Sequence, residues 1–225
     1  MIFGGLTKLT VQDYPGKVAC IVFTVGCNFR CPYCHNSGLV NANESTIEES
    51  AILEFLKSRV GKLDGVCVSG GEPTIHKDLP DFISKVKDLG FSVKLDTNGT
   101  NPAMLLELIL SGKIDYVAMD IKSSFDNYSI ACGKYVNIND IKKSIRLIIN
   151  TGIDHEFRTT VANGCVTLDD ILQISNMIDK NDKYFIQKFV DSGKILTNGN
   201  FEVSDSFMLD CQDAARRFVK NTTIR

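Results

Sequence analysis

Short apolar, β-branched runs alternate with segments of helical periodicity along almost the whole of this chain. Residues 18–25, VACIVFTV, are too few for a typical helix and read as a buried strand. Residues 46–59 carry apolar side chains at 47, 51, 52, 55 and 56, which is helical spacing. Ser45 or Thr46 is placed to cap that helix, and Glu48 and Glu49 suit the positive end of its dipole. The pattern then recurs, with strands expected at 65–69, 91–96, 115–122, 155–161 and 183–190. Helices are expected at 79–89, 102–110, 138–150, 168–178 and 206–220, with Pro102 opening one and Gly90 and Gly152 stopping two others. Six such βα units imply right-handed crossovers and a parallel sheet. Eight would close a barrel, so six give an α/β fold of the partial, open (β/α)6 TIM type. No linker or shift of composition divides the sequence, which reads as one domain over 1–225 with a short N-terminal extension, 1–16.

In parallel βα folds the chemistry sits at the carboxyl ends of the strands. The first of those ends carries CNFRCPYCHN, which puts Cys27, Cys31 and Cys34 in a C-x3-C-x2-C array, three of the chain's eight cysteines. Thiolates that close on one loop can converge on a soft metal centre. A structural zinc site takes four ligands, usually as two separated pairs, and His35 is awkwardly adjacent to Cys34 for a fourth. Three protein ligands on a [4Fe–4S] cube would leave one iron open to a small molecule. From spacing alone, iron–sulfur, zinc and coincidence all stay open.

The setting favours a metal over disulfides. No charged segment leads into an apolar one at the N-terminus, so no signal peptide is expected, and no apolar run reaches the ~18 residues of a membrane span. The expected location is the cytoplasm, where thiols stay reduced. The net charge of −2 offers no footprint for nucleic acid.

The Cys array after the first strand resembles the signature of the radical S-adenosylmethionine (SAM) superfamily, including an aromatic, Tyr33, between its last two cysteines. The resemblance implies that Cys27, Cys31 and Cys34 ligate a [4Fe–4S] cluster whose unique iron binds SAM. An electron from the cluster then yields methionine and a 5′-deoxyadenosyl radical. Tyr33 would pack near the adenine or serve structure alone. The second strand ends in SGGEPT, which by itself is a turn. It resembles the superfamily's GGEP motif, which implies that Gly70, Gly71 and Glu72 hold the SAM amino group.

Later strand ends carry further polar residues. Asp96 opens DTNG, an Asx turn on the plainest reading. Asp120 and Lys122 share a face by period-2 spacing, and so do Glu156 and Arg158, for which a partly buried ion pair is the simplest account. These positions resemble the glycyl-radical-enzyme activases, such as the pyruvate formate-lyase activating enzyme. By that resemblance Asp96 and Asp120 lie near the ribose or a monovalent cation. Lys122 reaches a carboxylate or the substrate backbone, and Arg158 sits deeper. The family's sixth-strand histidine is absent; the matching strand offers Gln187.

The opening GLTKLTVQDYPGKVACIVFTVGCNFRCPYCHN, with YFIQKFVDSG at 184–193, resembles the activating proteins of anaerobic ribonucleoside-triphosphate reductase. That implies a glycyl radical enzyme as protein substrate and flavodoxin or ferredoxin as reductant. Cys67, Cys132, Cys165 and Cys211 are scattered and read as core thiols. His76 follows the GGEPT turn, where it either faces the cluster or, on the plainer reading, is a solvated loop residue. Three alternatives are an activase of a pyruvate formate-lyase-like enzyme, a small-molecule radical SAM enzyme of the 7-carboxy-7-deazaguanine synthase type, and a zinc-binding module without catalysis.

Overall fold

The computed structural model describes residues 1–40, 45–191, 193 and 195–225, so Ser192 of the YFIQKFVDSG stretch lies outside the described residues. The elements run β1 (Ile2–Thr10), β2 (Ala19–Thr24), α1 (Ser37–Val40), β3 (Ile47–Glu48), α2 (Glu49–Lys57), β4 (Gly65–Gly70), α3 (Leu79–Asp88), β5 (Ser92–Thr97) and α4 (Pro102–Leu110). They continue with β6 (Tyr116–Asp120), α5 (Tyr128–Cys132), α6 (Ile138–Thr151), β7 (Asp154–Val161), α7 (Leu168–Ser175), β8 (Lys183–Lys188), α8 (Asp205–Arg216) and β9 (Asn221–Ile224). All six βα units expected from the sequence are present. By internal contacts the chain forms two compact units. One comprises Met1–Asn28, Gly38–Thr97 and Ala103–Val117; the other comprises Phe29–Ser37, Asn98–Pro102 and Ala118–Arg225.

In the first unit β2 pairs with β4 in parallel, from Ala19 opposite Gly65 to Thr24 opposite Gly70, and β4 pairs with β5 in the same sense. Val22, Val66, Val68, Val93 and Leu95 are fully buried, as are Ile52 and Leu56 of α2 and Phe82, Ile83 and Val86 of α3. Each such side chain contributes about 1.5–3 kcal/mol. The N-terminal extension carries a strand: β1 pairs antiparallel with β2 and with β3. One expectation is corrected here. The cap of α2 is neither Ser45 nor Thr46 but Glu48, whose side chain makes no capping bond, because residues 47 and 48 are committed to pairing with β1.

In the second unit β7, β8 and β9 run parallel. Its helices stop and start where local chemistry dictates. Asn137 caps α6, and Gly152 ends it at a left-handed φ of 67°. Thr167 and Asp170 form a reciprocal capping box on α7, and the Ser204 side chain accepts from Phe207 N–H at 3.1 Å on α8.

Candidate active site

The parallel register of β2 and β4 brings two chain exits side by side in the first unit, since Thr24 stands opposite Gly70 at the carboxyl end. Beyond them, Gly71 N–H donates to the Thr24 carbonyl and Glu72 N–H to the Gly26 carbonyl, both at 2.9 Å. A Cβ on Gly70, whose φ is +119°, would fall on the Thr24 backbone, and one on Gly71 would fall on the Gly26 carbonyl. The two glycines are therefore required by the approach of one strand exit to the other, immediately before Cys27, whatever ligand they also face.

Glu72 is 1% exposed. Its Oε1 accepts from the Thr74 amide at 3.0 Å, the Thr74 hydroxyl at 2.6 Å and the Thr97 hydroxyl at 2.8 Å. That one oxygen pins both the Pro73–Ile75 turn and the end of β5. Asp96 accepts from Ser69 Oγ at 3.0 Å and from Lys94 Nζ at 2.5 Å. Lys94 was not singled out by sequence reasoning, yet its side chain is only 2% exposed. The signal was available: Lys-x-Asp on a strand places both side chains on one face, as it does for Asp120 and Lys122. His76 is half-buried rather than fully solvated, and its Nε2 is buried without a hydrogen-bond partner among the described residues.

The second unit carries the rest of the cysteine loop. Cys34 N–H closes a turn on the Cys31 carbonyl at 3.0 Å, and Thr197 N–H donates to the Pro32 carbonyl at 3.1 Å. Arg30 N–H donates to the Cys132 carbonyl at 2.8 Å, and a Cβ on Gly133 would fall on the Arg30 carbonyl. The end of α5 thus presses on the loop, and Gly133 must stay small. Tyr33 packs edge-on against Phe189 and Phe201 at centroid distances of 6.5 and 6.2 Å. Its hydroxyl is buried and has no hydrogen-bond partner among the described residues. His35 stacks on Phe189 at 5.1 Å, a ring contact that sequence spacing did not reveal.

Charge in this unit centres on Asp120. Lys122 Nζ reaches its Oδ2 at 2.9 Å and Arg158 Nε its Oδ1 at 2.7 Å. Burial works against the Asp120 charge, but the two cations outweigh it and hold the carboxyl well below the usual range. Burial likewise opposes the Lys122 charge, yet Asp120 and then Cys31 raise its pKa. The simple Arg158–Glu156 pair expected from the sequence is only a 4.0 Å contact, because Asp120 takes the guanidinium and Arg225 takes Glu156.

The cysteines differ sharply in acidity. The Cys31 thiol is pulled down to about 7, first by a hydrogen bond from the Cys132 thiol, with burial opposing and Lys122 assisting. Burial raises Cys34 and pushes Cys20 up to about 12 and Cys211 to about 11. Cys132 is fully buried, as expected of a core thiol, and it also serves Cys31. All eight cysteines are free of disulfides.

This donor set fits an iron–sulfur cluster. Three reduced thiols on one short loop, one of them inclined to the thiolate, are what such a cluster takes. Among the described residues no three His, Cys, Asp or Glu side chains are drawn closely enough to hold a single metal ion. A cube of several irons spreads its thiolates over different metal atoms and makes no such demand.

The radical SAM superfamily pattern matches residues 21–178, a span that contains Cys27, Cys31, Cys34, Glu72, Asp96, Asp120 and Arg158. The chain belongs to the radical SAM superfamily. This radical SAM enzyme therefore works with a [4Fe–4S] cluster and S-adenosylmethionine as its cofactors. It is 38% identical over 197 residues to a Methanocaldococcus jannaschii protein named "Putative glycyl-radical enzyme activating enzyme", covering 84% of this chain and 80% of the relative. A second M. jannaschii protein of the same name is 28% identical over 229 residues, covering 99% of this chain and 86% of the relative. The solved radical SAM methyltransferase of Sphaerobacter thermophilus shares the fold with a TM-score of 0.75 at 13% identity, over 96% of this chain and 68% of that one. The α/β class with a mostly parallel sheet, expected of a partial barrel, is thus the fold of a radical SAM domain. No helix among the described residues is long and apolar enough to cross a membrane.

Proposed function

We propose that this radical SAM enzyme is an activase that installs the radical on a glycyl radical enzyme, anaerobic ribonucleotide reductase being the partner, and that the whole chain works as one catalytic domain in the reducing cytoplasm. The observation that carries this reading is the likeness, nearly end to end, to two proteins named as activating enzymes of that kind. When bound, the cluster would supply the electron for reductive cleavage of SAM to methionine and a 5′-deoxyadenosyl radical, whose role here would be to take a hydrogen atom from a glycine Cα.

The chain's own residues divide the work. Cys27, Cys31 and Cys34 are the cluster ligands, and the acidified Cys31 thiol suits that role. Gly70, Gly71 and Glu72 shape the backbone edge for the SAM amino group. Asp96 and Asp120 serve the ribose hydroxyls or a cation, and Lys122 and Arg158 serve a carboxylate. Tyr33 stiffens the loop from beneath through its contacts with Phe189 and Phe201. Flavodoxin or ferredoxin delivers the electron.

The test is anaerobic. The protein is reconstituted with iron and sulfide, reduced, given SAM, and mixed in turn with the glycyl radical enzymes of its source organism. A doublet electron-spin signal on the reductase, absent with a Cys34→Ala variant, is the expected outcome. A doublet only on a pyruvate formate-lyase-like enzyme would reassign the partner. Formation of 5′-deoxyadenosine with no protein radical on any candidate would overturn the activase reading in favour of a small-molecule substrate.

A further inference from the structure

Three contacts within the second unit fix the last residue of α5, Cys132, against the loop that carries Cys31. Phe29 meets Tyr128 of α5 edge-on, with ring centroids 6.4 Å apart. Arg30 N–H donates to the Cys132 carbonyl at 2.8 Å. Gly133 ends the helix at a left-handed φ of 63°, and a Cβ there would fall on the Arg30 carbonyl. With the two backbones held this close, the Cys132 thiol lies within hydrogen-bonding reach of the Cys31 sulfur. Cys132 is fully buried and Cys31 is 7% exposed, so little water competes for either sulfur.

We propose that Cys132 is a positioning residue for the cluster: its S–H donates to the Cys31 sulfur, orients that ligand and raises the reduction potential of the iron–sulfur centre. This deepens the proposed function and rests on its assignment of Cys31 as a cluster ligand. The direction of the hydrogen bond follows from the chemistry. A ligating cysteine is a thiolate with no proton to give, so Cys31 can only accept. Cys132 keeps its own proton, because burial and like charge both disfavour a second thiolate beside the first. The effect on potential is electrostatic. Reduction adds one electron to the cluster, and part of that charge resides on the ligand sulfurs. A donor aimed at one of them stabilises the reduced form more than the oxidised form. The low local dielectric of a buried pair strengthens that preference. Cys132 binds no iron and gives up no electron; it acts through Cys31.

The experiment is an anaerobic redox titration of the reconstituted holoenzyme without SAM, read by the electron-spin signal of the reduced cluster, alongside iron content and thermal midpoint. Omitting SAM separates the result from cofactor binding and turnover. Cys132→Ala is expected to keep its iron and to shift the reduction equilibrium about tenfold toward the oxidised form, a fall of about 59 mV for one electron. Cys132→Ser keeps a donor at the same position and should stay within about threefold of wild type on the same scale. Cys132→Val, apolar and similar in size, should fall as the alanine variant does, and it decides the matter if that variant holds no cluster. A merely structural role for Cys132 predicts a lower thermal midpoint with the potential unmoved. An unchanged potential in Cys132→Ala, or an equal fall in Cys132→Ser, would overturn the proposal. So would loss of iron from both the alanine and the valine variants, which would make Cys132 a ligand instead. A Cys31→Ala variant that retains its full iron would sink the ligand assignment, and the proposal with it. Loss of iron in Cys31→Ala beside an unmoved potential in Cys132→Ala would leave that assignment standing and sink the proposal alone.

Discussion

Asp120 takes a cation on each carboxylate oxygen, Arg158 on one and Lys122 on the other. Its folded pKa lies below the unfolded value near 4. The ionised carboxylate therefore adds stability that is fully present above pH 4 and is lost as pH falls through the depressed folded value. Asp120→Asn strands two partly buried cations. It should cost about 2–4 kcal/mol at pH 7, somewhat below the range for a fully buried pair. In urea titrations of variant and wild type that gap should shrink as the pH is taken below 4; a constant gap would refute the charge argument. Gly71 makes a different kind of claim. A methyl group there collides with the Gly26 carbonyl, which is backbone and cannot swing aside. Gly71→Ala should cost about 1–3 kcal/mol in the same titrations and lower the iron taken up on reconstitution, because the displaced backbone leads directly into Cys27. An alanine variant with unchanged midpoint and iron content would mean that the two exits tolerate separation. At this scale the sequence was informative where residue type alone implies chemistry, as for the three loop cysteines. It was silent on Lys94, whose importance comes from the Asp96 that the fold sets beside it, and on the approach of the core thiol Cys132 to Cys31.

The β2 and β4 strands, set against β1 and β9, show why some elements were legible and others not. Runs such as Ala19–Thr24 and Gly65–Gly70 are buried on both faces and so read as unbroken apolar stretches. β1 is partly exposed, contains two glycines and a lysine, and pairs antiparallel outside the βα rhythm; β9 is four residues of mixed polarity. Neither carries a periodicity that outweighs its composition. The α2 start misled for a related reason, since a plausible capping serine was overridden by the tertiary pairing of Ile47 and Glu48. The start of β7 makes a testable element. His155 Nδ1 faces the Ile153 carbonyl at 2.6 Å and Nε2 faces Asp182 Oδ1 at 3.1 Å, so both ring nitrogens point at acceptors. Burial lowers the imidazole pKa, but Asp182 and the carbonyl outweigh it and the net shift is upward. The protonated ring therefore contributes stability that is complete below the unfolded value of about 6.5 and is lost as pH rises through the folded value. Asp182→Asn should cost about 0.5–1 kcal/mol at pH 5.5 and close to nothing at pH 9. A penalty that grows with pH would reverse the assignment.

Across the whole molecule, each unit buries an apolar core made of its own side chains. Val22, Val66, Val68, Val93 and Leu95 of the strands and Ile52, Leu56, Phe82, Ile83 and Val86 of the helices are fully buried in one unit, and Phe157, Tyr184 and Ile186 in the other. A chain of 225 residues buries enough surface to fold on that basis, whereas a small zinc module owes its fold to the metal itself. The cluster enters as a ligand that binds the folded state, so removing it withdraws stabilisation by mass action without removing the core. Anaerobic chelation of iron from the holoenzyme should therefore leave the far-ultraviolet circular dichroism nearly unchanged. It should lower the thermal midpoint by several degrees, with about 2–4 °C for each kcal/mol of binding lost in a domain of this size. The loss should concentrate in the cysteine loop, where hydrogen exchange at Cys31 to Asn36 should speed up while the β4 and β7 amides stay protected. Collapse of the circular dichroism on chelation would show instead that the metal builds the fold.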